Sequence, residues 1–417
     1  MRQTTLLILA SGWLTLSAQE RITWVLLGPE RDAIARTVLS GSEPCPQIVL
    51  DGRSSPMRAR TPAPAGFPPL CEAAIPPGTR AASVNAQALP LPAASFKRIV
   101  VIGDTGCRVR ELKPGDSLED LEIQDCDTDW KFKPIAEAAA ARQPDLVIHT
   151  GDYVYREGPC PPGKPCQGPH GFQWNTWYTD FFQPANKLLR AAPWIFVRGN
   201  HESCEQGGAG WFYLLDPRPY RPASCDTEYS EPYSVKAGGM DFQVLDSSLA
   251  EELDAKKKQV AEYARQLRDI GTSKPQGAWL LTHQPFWAFR REAGDSKRNE
   301  TDSVNDTLQK AWRDSPVSGI DLVLSGHIHI FQVLSFADGR PPQLVVGNSG
   351  TEMSRRIKGP FQGRKIARTT VADAGLARKH GFAEMNRRDG GWQLDLHGLK
   401  EVELRCLVTG PKLSCAK

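Results

Sequence analysis

The sequence predicts a layered α/β fold. Apolar runs of strand length recur from Phe96 onward: "KRIVVIGD", "PDLVIHTGD", "PWIFVRGN", "MDFQVLDSS", "GAWLLTHQP", "IDLVLSGH" and "PQLVVGNSG". Stretches of helix-forming composition separate them, notably "FKPIAEAAAARQ", 252–270 and 304–314. The runs are continuously apolar, as expected of strands covered on both faces in βαβ units.

Taken in order, the chain opens on "MRQTTLLILASGWLTLSAQE". A charged start, an apolar stretch from Leu6 to Leu16 and the small residues Ser17-Ala18 form a signal-peptide pattern over residues 1–18. Uncleaved anchoring is the alternative, although the stretch is short for a bilayer span. Residues 19–95 hold two strand-like runs, "ITWVLL" and "QIVLDG", followed by a stretch rich in Pro, Ala and Arg. Proline at that density breaks helices and central strands, so a small β-rich N-terminal module with a proline-rich linker is expected there. The layered region occupies 96–417 and ends in "GWQLDLHG" and "KEVELRCLV", expected as antiparallel closing strands.

With 417 residues the chain can build a full-sized core, and 24 % charged with 40 % hydrophobic residues is ordinary globular composition. The net charge is only +3. The longest basic run, Lys256-Lys257-Lys258, reads as a solvated helix face, so nothing points to nucleic acid. Ten cysteines fall in neighbouring couples: Cys45 with Cys71, Cys107 with Cys126, Cys160 with Cys166, Cys204 with Cys225, and Cys406 with Cys415. An even count behind a leader favours disulfides and a secreted or periplasmic location. Pairing neighbours is the simplest arrangement, though spacing alone does not fix connectivity. Zinc is the weaker reading, since no close Cys-x-x-Cys occurs.

Five apolar runs end in residues able to bind a metal: Asp104 in "VIGDTG", Asp152 in "HTGDYVY", Asn200 and His201 in "VRGNHE", His283 in "LLTHQP", and His327 with His329 in "LSGHIHIF". Strand carboxyl ends are where α/β folds carry sites. Glycine precedes four of these motifs and would permit a sharp turn off the strand. One Gly-Asp alone is ordinary turn chemistry; five such ends in one chain are not.

The order GD…GDxxY…GNHE…H…GHxH resembles the calcineurin-like metallophosphoesterases, and among them it is most similar to purple acid phosphatases, over roughly residues 97–350. The resemblance implies a two-sheet sandwich flanked by helices. It also implies two adjacent metals, the first held by Asp104, Asp152, Tyr155 and His329 and the second by Asp152, Asn200, His283 and His327. Tyr155 stands in for the histidine missing after Asp104. A phenolate with carboxylates suits ferric iron; an amide with two imidazoles suits a divalent zinc, manganese or iron. The implied activity is acid phosphatase-like hydrolysis of phosphate monoesters, small-molecule substrates, by metal-activated hydroxide. His201 would serve the leaving oxygen as acid, and Glu202 would orient the loop. A phosphodiesterase or nucleotidase on the same site is the alternative, and a non-catalytic metal- or phosphate-binding module is a third reading.

The loop after His283 lacks the further histidines common in plant and animal purple acid phosphatases. Arg290 and Arg291 there are either phosphate contacts or a solvated pair. His149 reads as a strand residue facing the core. Cys107 is expected to be tied to Cys126, bracing the first loop, and the aromatic cluster 172–182 to be packing.

Overall fold

The computed structural model describes residues 21–29, 33–111, 123–226, 229–290 and 302–416. The expected leader and Arg291 lie outside the described residues. Continuous apolar strands need cover on both faces, and two sheets packed face to face supply it, with helices on each outer face. Alternate residues of a strand point to opposite sides, so each strand feeds two cores. In Arg98–Ile102, Ile99 and Val101 face the inner core, while Val100 and Ile102 face the helices. The inner core joins Ile99, Val101, Leu146, Ile148 and Ile195 of the first sheet to Phe242, Val244, Leu281, Leu324, Leu344 and Val346 of the second. Outside the first sheet, Val100, Ile102 and Val147 meet the helix Phe132–Ala141 through Phe132, Ile135, Ala136 and Ala139. Outside the second, Leu280, Val323 and Val345 meet the helices Lys257–Thr272 and Asp306–Asp314 through Leu267, Ile270, Leu308 and Ala311. Each buried Val, Leu, Ile or Phe among these contributes roughly 1.5–3 kcal/mol, and the alanines less. The two-sheet sandwich flanked by helices is therefore borne out.

Among the described residues the first sheet has eleven strands. Its parallel centre runs Arg98–Ile102, Leu146–His149, Trp194–Phe196. Gly381–Arg388 flanks it antiparallel, followed outward by Gly391–Gly398, Val402–Thr409 and Lys412–Cys415, the closing strands of the tail. On the other side Thr23–Leu27 adds parallel to Trp194–Phe196, and Ala33–Val38, Leu70–Ile75 and Arg58–Ala59 follow. The N-terminal residues are β-rich, and four of their strands continue this sheet. Another four, Gln47–Leu50, Arg53–Pro56, Ala82–Val84 and Gln87–Ala88, form a small sheet of their own. Two buried arginines fasten the segment down: Arg36 donates to the carbonyls of Leu214 and Asp216, and Arg60 to those of Phe212 and Tyr213.

Among the described residues the second sheet has eight strands, with Met240–Val244, Ala278–Leu281, Ile320–Ser325 and Gln343–Val346 parallel. Loops leaving the carboxyl ends of both sheets meet at one rim. There the Ser349 and Thr351 amides donate to the Gly103 and Asp104 carbonyls at 3.1 and 3.0 Å. All five disulfides join the neighbouring cysteines: Cys45–Cys71, Cys107–Cys126, Cys160–Cys166, Cys204–Cys225 and Cys406–Cys415. Among the described residues no helix is long and apolar enough to cross a membrane.

Candidate metal centre

The five strand ends converge. Asp104 follows Arg98–Ile102, Asp152 follows Leu146–His149 and Asn200 follows Trp194–Phe196; His283 and the His327/His329 pair follow Ala278–Leu281 and Ile320–Ser325. Asp104, Asp152 and His327 take the left-handed backbone conformation, with φ of 57°, 60° and 72°. Non-glycine residues rarely adopt it, and where they do the surroundings hold them there. The expectation that glycine makes each turn holds only for Gly151, at φ 108°. At Gly103, Gly199 and Gly326 the reason is room: a Cβ would collide with Thr150, Asp152 and Asp104 respectively. The ligand-bearing residues do the turning, and the glycines let the loops close on one another.

The donor atoms fall into two groups sharing one carboxylate. Tyr155 Oη lies 3.0 Å from Asp104 Oδ1, 2.8 Å from Asp152 Oδ2 and 3.0 Å from His329 Nε2. Asn200 Oδ1 lies 2.9 Å from His283 Nε2 and 2.8 Å from His327 Nδ1, and those two nitrogens are 3.2 Å apart. Asp152 Oδ2 closes the second group at 3.2 Å from His283 Nε2. Donors at right angles around one ion, each about 2.1 Å from it, stand about 3.0 Å from one another. The observed spacings match that polyhedron edge.

The outer nitrogen of each imidazole is engaged. His283 Nδ1 donates to the Thr150 carbonyl at 2.9 Å, His329 Nδ1 to the Glu352 carbonyl at 2.7 Å, and His327 Nε2 to Glu252 Oε1 at 2.7 Å. Such bonds fix the tautomer and turn the remaining lone pair inward. Tyr155 has a single hydroxyl hydrogen for three acceptors. Lone pairs packed this way repel unless a cation lies among them, so the donor set fits metal ions. Electrostatics are correspondingly perturbed. Among the protein groups alone, burial pushes the Asp104 carboxyl up to about 7, and burial opposes charge on His283, which Asp152 nevertheless holds up at about 9, so a metal bound there would take the place of the proton on His283 Nε2. Burial and the charges of Asp104 and Asp152 push the Tyr155 phenol well above its ordinary value.

Around this centre the remaining expectations find their places. Glu202 orients the loops: its carboxylate accepts from the amides of Asp152, Tyr153 and Gly199 at 3.1, 2.9 and 3.1 Å. His201 lies against the Tyr155 ring, 4.2 Å between centroids and tilted by 43°, and its backbone amide donates to Asp152 Oδ1 at 3.0 Å. Its Nδ1 is at ion-pair distance, 2.8 Å, from Glu157 Oε1 but off the ring's N–H axis; Nε2 is 4.0 Å from Asp152 Oδ2. His149 is buried in its strand, bonded to Thr105 Oγ1 and to the Gly151 amide. Trp174, Trp177, Phe181 and Phe182 pack in the outer core. Arg290 is half-buried and ion-paired with Glu252.

Four neighbours carry no sequence motif. Glu252 receives His327, and Glu157 faces His201. The Arg108 guanidinium lies 5.6 Å from the Tyr155 ring centre. Asp180, from the π-helical turn Tyr178–Phe182, accepts from the Tyr155 amide at 3.0 Å and from Arg156 Nε at 2.7 Å. A second acidic cluster, Glu384, Asp395 and His397, is matched by Arg98, Arg142 and Arg405 and forms an ion network in the sheet.

Two packed sheets carry hard oxygen and imidazole donors on their shared rim, the arrangement of a metal-binding enzyme. The chain belongs to the calcineurin-like phosphoesterase family, whose model matches residues 97–331, more than half its length. Among solved structures, it is similar to a purple acid phosphatase from yellow lupin (Lupinus luteus) seeds. That match has a TM-score of 0.58 and 12 % identity, covering 92 % of this chain and 73 % of the other. A structure of PhoD matches with a TM-score of 0.55 and 11 % identity, covering 95 % and 91 %. At these identities the likeness speaks for the fold. No curated protein sequence matches the chain.

Proposed function

We propose that the protein hydrolyses phosphate monoesters at a centre of two metal ions. Asp104, Asp152, Tyr155 and His329 would hold one ion, and Asp152, Asn200, His283 and His327 the other. The observation that carries this reading is the position of Asp152 Oδ2, 2.8 Å from Tyr155 Oη and 3.2 Å from His283 Nε2, shared by both donor groups. The anionic set around Tyr155 suits ferric iron, and the Asn200–His283–His327 set suits a divalent zinc, manganese or iron. Bound there, the two ions would acidify water and neutralise phosphoryl oxygens.

The chain's own residues supply the rest. His201 presents Nε2 toward the centre, where an N–H can meet the leaving oxygen, and Glu157 steadies the ring from the other side. Asn200, His327, Gln284 and Arg290 are among the residues lining an open cleft of about 460 Å³. The cleft accommodates the substrate, and Arg290 offers its phosphate a fixed cation. In this reading residues 96–417 are the catalytic domain, and the segment before it buttresses the first sheet. A leader at 1–18 would direct export to a secreted or periplasmic location, with which five disulfides agree.

The test is a parallel assay of an aryl phosphate monoester and the matching diester, with metal analysis on the same sample. Two metals per chain and faster monoester cleavage are expected. Preference for the diester would replace the monoesterase reading with the diesterase one. Two bound metals without turnover of either would make the protein a binding module.

A further inference from the structure

We infer that Glu252 is a positioning residue of the centre, with one carboxylate oxygen orienting His327 and the other holding Arg290 over the cleft. The inference rests on the two-metal reading and concerns a residue with no place in the sequence motifs. Glu252 Oε1 accepts from His327 Nε2 at 2.7 Å, which leaves His327 Nδ1 as the lone-pair nitrogen facing Asn200 Oδ1 and His283 Nε2. Its other oxygen, Oε2, pairs with Arg290 Nη1. The carboxylate therefore links a proposed ligand to a cation of the same cleft, which all three residues line.

The loop carrying Glu252 is anchored rather than loose. Its carbonyl accepts from the Asp306 amide at 2.9 Å, at the first turn of the helix Asp306–Asp314. Asn305, the cap of that helix, donates through Nδ2 to the Ala250 carbonyl at 3.1 Å and to Gln284 Oε1 at 2.6 Å. Gln284 directly follows His283. The same short network thus fixes Glu252 relative to both imidazoles of the Asn200 group. A partner that orients a ligating imidazole commonly changes metal affinity 10–100-fold. Pairing with Glu252 also keeps the long Arg290 side chain from sampling other rotamers, which matters for a bidentate contact with phosphate.

Three variants separate the two jobs. Glu252→Ala removes both oxygens. Glu252→Gln is close in shape and can keep its one oxygen for His327, but it then turns its amide NH2, a donor, against Arg290. Arg290→Ala leaves the His327 bond intact. The primary readout is metal retention, measured as stoichiometry and as the rate of loss to a chelator; KM for an aryl phosphate monoester is the second. Glu252→Ala is expected to weaken one of the two metals by about 10–100-fold while the other is retained. Glu252→Gln should keep metal affinity within a few-fold of wild type and raise KM, and Arg290→Ala should raise KM without affecting metal retention.

Unchanged retention of every bound metal in Glu252→Ala overturns the inference, as does equal weakening of both metals, which would indicate general loosening. Wild-type protein holding a single metal would remove the two-metal reading instead. Comparison of wild type and Glu252→Ala on that one metal would still decide the role of Glu252. Wild type holding none would remove both.

Discussion

Tyr155 Oη stands 2.8 Å from Asp152 Oδ2, three positions earlier in the chain. The contact depends on the left-handed turn at Asp152, φ 60°, and on the Tyr155 amide being held by the buried Asp180 carboxylate at 3.0 Å. A carboxylate and a phenol so placed can serve one ion together. If that ion is ferric iron, the phenolate gives a visible charge-transfer band. Wild type is therefore expected to be coloured and Tyr155→Phe colourless, with iron measured on both samples. An iron-replete wild type without visible absorption would remove the ferric assignment and leave the other donors standing.

His201 reaches the centre without belonging to either donor group. His201→Ala should therefore retain both metals while kcat falls about 10²–10⁴-fold, the usual contribution of a positioned acid. An alkoxide leaves less readily than an aryloxide, so the loss should be larger for an alkyl phosphate than for an aryl phosphate. Equal losses on both, or a loss that tracks metal content, would assign His201 to the loop's structure instead.

The site's donors were legible in the sequence because burial and punctuation coincide. Strands covered on both faces must be continuously apolar, so the polar residue ending each run stands out, and Gly-Asp, Gly-Asn-His, Thr-His and Gly-His-x-His mark the proposed donors except Tyr155, which the family resemblance alone supplied. Residues reached through tertiary contact had no such signal. Glu252 meets His327 across 75 positions, from a loop with ordinary polar composition. Asp180 lies within an aromatic stretch whose visible pattern is packing. The glycines were legible as required but not for the right reason, because close approach between loops from different strands leaves no local pattern. The N-terminal segment reads as separate because its proline content is local information. The pairing of Leu26 with Trp194 that joins it to the first sheet is not.

That distinction between turning and room predicts different outcomes for two alanines. At Gly199 the backbone is extended, but a Cβ would collide with the Asp152 side chain and backbone and approach Glu202 Oε2 to 2.7 Å. None of these groups can yield without moving the proposed bridging carboxylate. Gly199→Ala should therefore lower metal retention at both positions and cost about 1–3 kcal/mol of stability. Gly271, near the end of the helix Lys257–Thr272, has nothing within 4 Å of a built Cβ. Gly271→Ala should leave metal content unchanged and stabilise by about 0.4–1 kcal/mol by restricting the unfolded chain. Chemical denaturation with metal analysis checks both, and a fully metallated Gly199→Ala protein would contradict the crowding argument.

Away from the centre, Glu384 sets a pH dependence of stability. Burial alone would raise its carboxyl, but hydrogen bonds from His397 and Arg142 and the Arg142 charge outweigh burial and hold it at about 2 against an ordinary 4.5. Arg98 adds a second ion pair at 3.0 Å. A folded-state value below the unfolded one means that the stabilising contribution is complete above about pH 5 and is lost as pH falls from 4.5 toward 2. The arginine side chains are 38 % and 43 % exposed, so solvent screening reduces the contribution to about 1–2 kcal/mol. Glu384→Gln should lose that amount at pH 7, and the gap to wild type should close progressively below pH 4.5 in denaturant unfolding. A gap that stays constant from pH 7 to pH 3 would mean that the carboxylate contributes through packing and not through its charge.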